Sequence, residues 1–198
     1  MKLNKVLFVI DYIEGIAKTG ACAQYLEAHP EIIENTNTLI NAFRAADLPI
    51  FFIRLAFDNT YTGLPKYAPT AQTIKENKKF LIDQPDAQFI AELNFKKDKD
   101  FVFNKKYGDP FHGSGLLEAL VKLKIEEIIF TGISTNNAIL FGANTAMINN
   151  FKVLIVEDAC GAPTTEQHTQ ALSIMKGRTA NEILTTKEVL DRLEMKKR

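Results

Sequence analysis

Val6-Leu7-Phe8-Val9-Ile10 closes on Asp11: five apolar residues in a row, stopped by a carboxylate. A continuous run of β-branched and aromatic residues with no polar alternation predicts a strand covered on both faces, the environment of a parallel sheet between helices. Four further runs read the same way: Ile50-Phe51-Phe52-Ile53, Phe101-Val102-Phe103, Ile128-Ile129-Phe130 and Val153-Leu154-Ile155-Val156. Between the first two, Ile32, Ile33, Thr36, Leu39, Ile40 and Phe43 recur at helical spacing, and Pro30 sits where a helix start tolerates proline. Further helices are expected from Gly115 to Val121, Asn136 to Ile148, Thr165 to Met175, and from Lys187 to the charged C-terminus. This alternation predicts an α/β fold: a doubly wound, mostly parallel, Rossmann-like sheet with helices on both faces, three αβα layers in all.

The rhythm breaks once. Ala56 to Lys99 is long, polar and interrupted by Pro65, Pro69 and Pro85, with a short helical candidate from Thr73 to Phe80. Insertions of this length in compact domains are usually binding loops or lids. No composition shift marks a second domain, so residues 1–198 are expected to form one. A length of 198 residues with 46% hydrophobic side chains is enough for a substantial core. The 24 basic residues balance the 24 acidic ones exactly in number, which argues against nucleic acid or an anionic membrane as partner, since both need clustered, unbalanced Lys and Arg. Lys2 and Lys5 precede an apolar run too short for a signal-peptide core or a membrane span, and the expectation is a soluble cytoplasmic protein. Cys22 and Cys160 are expected to be reduced thiols, and Lys196-Lys197-Arg198 a solvated tail.

In a doubly wound sheet, ligands bind beyond the carboxyl ends of the strands. The residues there are Asp11, Arg54, Asn104-Lys105-Lys106, Thr131 to Asn136 and Glu157-Asp158. Asp11 reads equally as a helix cap or ion-pair partner and as a functional carboxylate, and its combination with Lys105 favours function. Arg54 beside Lys105 would suit a substrate carboxylate or carbamoyl oxygen, or else pair with Asp58 or Glu14. Phe57, Tyr61 and Tyr67 could wall a pocket or form an apolar cluster under the insertion.

Four motifs in order resemble the isochorismatase-like hydrolase superfamily: VLFVIDYIEG, KKYGDPFHGSGL with Lys105 six residues before Phe111, TGISTNNAIL opening a helix, and VLIVEDACGA followed by a helix containing His168. The resemblance covers nearly the whole chain. It implies the isochorismatase-like fold, a small-molecule substrate, no cofactor, and a homo-oligomer. Carried over residue by residue, it implies Asp11 as catalytic acid/base and Lys105 as catalytic lysine. It implies substrate contacts from Ile133, Ser134 and Asn137, with a cis Ile133–Ser134 peptide turning backbone amides toward a developing oxyanion. The nucleophilic cysteine of the family falls on Ala138, whose methyl group attacks nothing.

Three accounts of Ala138 stand side by side. The chain is an engineered Cys-to-Ala variant, or a natural hydrolase that needs no thiol, or a protein that has kept binding and lost chemistry. A vinyl ether is hydrolysed by protonating carbon and capturing the cation with water, for which Asp11 suffices. The changes at Ile13-Glu14 and Asn144-Thr145, where the family usually carries Gln-Asn and Arg-Asp, favour a natural alanine. No metal is expected, because the metal-dependent branch has histidines after the second strand where this chain reads Arg54-Leu55-Ala56-Phe57-Asp58, and His29, His112 and His168 are spread over distant elements. Asp11→Asn is expected to leave folding nearly intact while removing activity.

Overall fold

A computed structural model describes residues 4–194. Lys2 and the Lys196-Lys197-Arg198 tail lie outside them. Six strands, β1 (Lys5–Ile10), β2 (Ile50–Leu55), β3 (Phe101–Lys105), β4 (Glu127–Ile133), β5 (Lys152–Gly161) and β6 (Glu182–Leu184), form one sheet in the order β3-β2-β1-β4-β5-β6. Every adjacent pair is parallel.

Strand alternation sends side chains to two apolar layers. Leu7 and Val9 of β1 join one cluster, with Leu39, Ile40 and Phe43 of α2 (Glu31–Ala45) and Val189 of α7 (Thr186–Glu194). Val6, Phe8 and Ile10 join the other, under α4 (Leu116–Lys122), α5 (Leu140–Ile148) and α6 (Thr165–Met175). The sheet and its two helical layers make the three-layer α/β architecture expected from the apolar runs.

The structure also differs from the sequence reading. β6 is three residues long and has no apolar run to announce it. β5 continues to Gly161, past Val156, with a register shift against β4 between Phe130 and Gly132. Two short segments follow β1: a π-helical turn at Glu14–Lys18 and α1 (Ala23–Ala28). The insertion's helix, α3, spans Ala71–Glu76, not Thr73–Phe80, because Lys78 and Phe80 take left-handed backbone conformations (φ 49° and 57°) that no helix continues through. The first half of the insertion folds on itself, with Phe57, Tyr61, Leu64, Ala71 and Ile74 packed around Ile13 and Leu55. Its second half returns to the sheet through Ile90 and Leu93.

At the amino-terminal pole of the strands, opposite charges alternate across the sheet. Lys5 of β1 lies 2.6 Å from Glu127 of β4, its register partner. Glu127 lies 3.3 Å from Lys152 of β5, Lys152 lies 3.0 Å from Glu182 of β6, and Glu182 lies 2.6 Å from Arg192 of α7. Against a burial that would raise it, the hydrogen bonds and charges of Lys5 and Lys152 hold the Glu127 carboxyl below its ordinary range. Hydrogen bonds from Arg192 and Lys152 bring Glu182 from 4.5 down to about 2. A carboxylate whose pKa is depressed on folding stabilises the fold above its unfolded value and loses that stabilisation as pH falls through the folded one. Urea titrations are therefore expected to show stability falling between pH 4.5 and about 2, and Glu182→Gln to flatten that fall. Glu127→Gln leaves the buried Lys5 ammonium facing a neutral amide and is expected to cost about 3 kcal/mol.

Candidate active site

β1 stops at Ile10, and Asp11 turns out of the sheet with φ 58°, a left-handed conformation that aspartate tolerates better than most residues. The turn aims its carboxylate sideways across the ends of the next two strands. One oxygen, Oδ1, accepts the backbone N–H of Leu55 at the end of β2 (3.0 Å). The other lies 2.6 Å from Nζ of Lys105, the last residue of β3. Lys105 Nζ also donates to the carbonyl of Gly108 (3.0 Å). Three consecutive strand ends thus supply a carboxylate, an amide and an ammonium, with Asp11 and Lys105 each only 2% exposed. Burial raises the Asp11 carboxyl above the usual carboxylate range, opposed by the charge and hydrogen bond of Lys105 and by the Leu55 amide.

The pair forms the floor of a cavity of about 610 Å³. Gly15, Ile16, Thr19, Gly20 and Ala21 form one wall, and Tyr107, Gly108 and Asn137 another. The insertion closes the third side with Thr70, Thr73, Ile74, Lys79 and Phe80, above Leu55. Asn137 belongs to a π-helical turn, Thr135–Ile139, that leads from β4 into α5. It approaches Gly108 so closely that a Cβ there would lie 2.5 Å from Asn137 Oδ1. Thr135 braces the turn from behind, donating to the Gly161 carbonyl (2.9 Å) and lying 2.8 Å from Nδ1 of His168. A hydroxyl carries one proton, so His168 donates through an Nδ1–H.

Of the candidate residues, Asp11, Lys105 and Asn137 meet in this cavity. Ala138 lies behind its wall, 1% exposed in the apolar cluster with Ile10, Ile139 and Cys160. Ile133 is buried and Ser134 half-buried; neither lines the cavity, and the peptide bond between them is cis. The Ser134 carbonyl accepts from the N–H groups of Asn137 and Ile139.

Arg54 does not reach the cavity. Its guanidinium is tied to Asn104 Oδ1 (2.9 Å), the Ala87 carbonyl (2.8 Å) and Gln88 Oε1 (3.1 Å), so it fastens the insertion to the sheet and pairs with neither Asp58 nor Glu14. Phe57 and Tyr61 are in the insertion's own apolar cluster and Tyr67 is exposed, so none of the three walls the pocket. Asp158 faces away from the crevice, its Oδ1 accepting from the N–H and hydroxyl of Thr186 at the start of α7 (2.7 and 2.8 Å). The burial of the ion pair also corrects the expectation for Asp11→Asn, which would strand a buried ammonium and cannot be neutral for folding.

Sequence reasoning passed over Lys79, the remaining charged residue on the cavity wall. It ends a segment with Lys75 and Lys78 that reads as a solvated helical face, and only the left-handed turns after α3 bring it to the cavity mouth. Neither cysteine lines the cavity. Both are buried free thiols; burial and the charge of Asp11 push Cys22 up to about 12, and burial raises Cys160 further. Among the described residues no cluster of His, Cys, Asp and Glu is arranged to hold a metal ion, and no helix is long and apolar enough to cross a membrane.

The chain is similar to proteins of one family. An uncharacterised isochorismatase family protein of Escherichia coli O157:H7, YecD, is 27% identical over 195 residues, spanning 94% of this chain and 95% of that protein. The fold is shared with a cysteine hydrolase from Pseudomonas syringae (TM-score 0.84, 21% identity, 97% of this chain and 93% of that one). It is shared too with N-carbamoylsarcosine amidase from Thermoplasma acidophilum (TM-score 0.73, 17% identity, 93% and 97%). The isochorismatase domain matches residues 5–188, nearly the whole length. With that match, the chain belongs to the isochorismatase family.

Proposed function

We propose that this protein is a cytoplasmic hydrolase of a small, anionic metabolite that works without a thiol nucleophile, Asp11 moving the proton and water supplying the oxygen. The observation that carries this reading is the buried Asp11–Lys105 pair at the floor of a cavity whose wall offers neither cysteine nor serine. A carboxyl with a raised pKa holds its proton further into the neutral range, as a general acid must. With a vinyl ether, Asp11 would protonate the terminal carbon. Water would then add to the oxocarbenium carbon and return its proton to the Asp11 carboxylate, and the hemiketal would collapse to a carbonyl compound and an alcohol. Lys105 would compensate the carboxylate in the interval between the two proton transfers. The cavity's charge supports an anionic substrate, since Asp11 at most offsets Lys105 and Lys79 has no carboxylate within ion-pair distance among the described residues. Natural loss of the thiol also fits Ile13, Glu14, Asn144 and Thr145, which one engineered substitution would not explain.

A turnover screen over vinyl ethers, amides and carbamoyl compounds tests the reading. Activity is expected in the chain as it stands, highest on the acid side and declining as pH rises through the raised pKa of Asp11. Asp11→Asn should abolish it and, by stranding Lys105, cost about 3–5 kcal/mol in urea titrations, much of which Asp11→Asn combined with Lys105→Met should recover. No turnover in this chain or in Ala138→Cys would mean a binding protein on a hydrolase fold.

Lys79→Met is expected to raise KM about tenfold with kcat nearly unchanged, as loss of a remote binding contact does. An equal loss in kcat would place Lys79 in the chemistry instead.

Ala138→Cys separates a vacated thiol site from one never built for a thiol. Titrated with iodoacetamide, the new thiol is expected to show an apparent pKa at or above about 8.5, with no gain of amidase activity. A value well below that, with new amidase turnover, would identify an inactivated cysteine hydrolase.

A further inference from the structure

Lys79 reaches the cavity mouth on a turn whose backbone is gripped from four sides. Its own N–H donates to the Ile74 carbonyl of α3 (2.9 Å), and its carbonyl accepts the hydroxyl of Tyr61 (3.0 Å). The N–H of Phe80 donates to Oδ2 of Asp86 (2.9 Å), and the Phe80 carbonyl accepts the N–H of Phe57 (2.9 Å). Backbone groups thus satisfy two of these polar atoms, and the side chains of Tyr61 and Asp86 satisfy the other two. The grip keeps Lys78 and Phe80 in left-handed conformations that cost free energy in any residue with a Cβ and that a free chain would leave. It also closes on the segment that follows Asp11. A Cβ on Gly15 would lie 2.7 Å from Cε1 of Phe80 and 2.8 Å from the Asp86 carbonyl oxygen, so glycine alone lets the turn seat against that wall of the cavity.

We infer that Asp86 and Tyr61 are positioning residues for ligand choice: by holding the Lys79–Phe80 backbone they stand the Lys79 ammonium free at the cavity mouth, where it selects ligands that carry a negative charge. This rests on the reading of Lys79 as the contact for an anionic ligand. The grip acts on the backbone and leaves the side chain uncommitted, since among the described residues no carboxylate lies within ion-pair distance of the Lys79 ammonium. A lysine swings its charge on a flexible four-carbon stem. If the backbone moved as well, the charge would be spread through solvent and the ligand would have to order both, so a fixed backbone spares binding part of that entropy. The Asp86 carboxylate serves this turn at a cost. Its Oδ1 is buried and, among the described residues, has no hydrogen-bond partner. Such an oxygen gives up hydration with no bond in exchange, and the return lies in Oδ2, which holds Phe80.

Titrating the full-length chain with benzoate and with neutral benzamide, and following the Gly15, Gly108 and Asn137 amides by NMR, tests this. The wild type is expected to bind benzoate about tenfold more tightly than benzamide, and Lys79→Met to lose the preference. Tyr61→Phe and Asp86→Leu are each expected to cut it to about threefold or less with benzamide binding unchanged, whereas Asp86→Asn, which keeps an oxygen for the Phe80 N–H, retains it. In the Lys79→Met background neither Tyr61→Phe nor Asp86→Leu should weaken benzoate further, as holds for residues that act only through Lys79. Tyr61→Phe removes a single hydroxyl and keeps the test open if Asp86→Leu does not fold. A wild type without the preference overturns the inference. So does a preference that survives Tyr61→Phe and Asp86→Leu, or a further loss in the Lys79→Met background. Binding needs no turnover, so a chain that prefers benzoate and hydrolyses nothing sinks the hydrolase reading and leaves this one standing.

Discussion

Crossovers between parallel strands are right-handed, so the direction in which a chain steps along a sheet decides which face its connections cover. From β1 this chain steps one way to β2 and β3, and α2 and the end of the insertion cover one face. From β3 it leaps back past β1 to β4 and steps on to β5 and β6, which sends α4, α5 and α6 to the other. Above the carboxyl ends of β1 and β4 the connections diverge, and nothing the backbone does can fill the gap. Asp11 leaves β1 on one side of it and the Thr135–Ile139 turn leaves β4 on the other. At that junction the strands leave no room for a side chain: a Cβ on Gly132 would sit 2.4 Å from the Ile10 carbonyl oxygen. Cavity and sheet order are one consequence of a single handedness.

The two poles of the sheet spend charge differently. At the amino-terminal pole four ion pairs link five residues, from Lys5 to Arg192, in which interior members have a partner on either side, and the first two links coincide with strand register. At the carboxyl pole, among the described residues, Asp11 and Lys105 have only each other and two backbone groups, at the floor of a cavity. A pair so placed contributes little net stability, because desolvation offsets the attraction. What it provides is an acid whose proton affinity responds to the cavity's contents. A ligand that displaces water or brings its own charge changes the terms under which Asp11 ionises.

The parts of the fold legible in the sequence were those with a long, regular signal. The run before Asp11 and the spacing through Phe43 determine two elements outright, and β1, β2, β3, β4 and β5 all begin within a residue of their apolar runs. β6 escaped because three residues form a strand only when β5 offers an edge. The meeting of Asp11 with Lys105 followed from strand ends and from family resemblance together. Arg54 was misread because its position at a strand end is the same whether its side chain turns to the cavity or to the Ala87 carbonyl, and that choice is made by the insertion. Lys79 was invisible for the reverse reason: its place on the cavity wall depends on two left-handed residues, Lys78 and Phe80, in a segment that reads as helix.

That insertion packs the first half of its length around its own apolar centre and is fixed to the sheet by a few polar ties: Arg54 to Ala87 and Gln88, Lys106 to the Ala56 carbonyl, His112 to the Gly63 carbonyl. A segment whose first half packs mainly on itself, meeting the sheet in that cluster through Leu55, can be rebuilt with little disturbance to the strands beneath it. Residues 70–80 shape the mouth of the cavity while Asp11 and Lys105 stay at the strand ends, so a lineage can change the mouth and leave the ion pair untouched. The shape of the mouth and the ion pair at the floor are in this way separately heritable, and drift in one does not have to pass through the loss of the other.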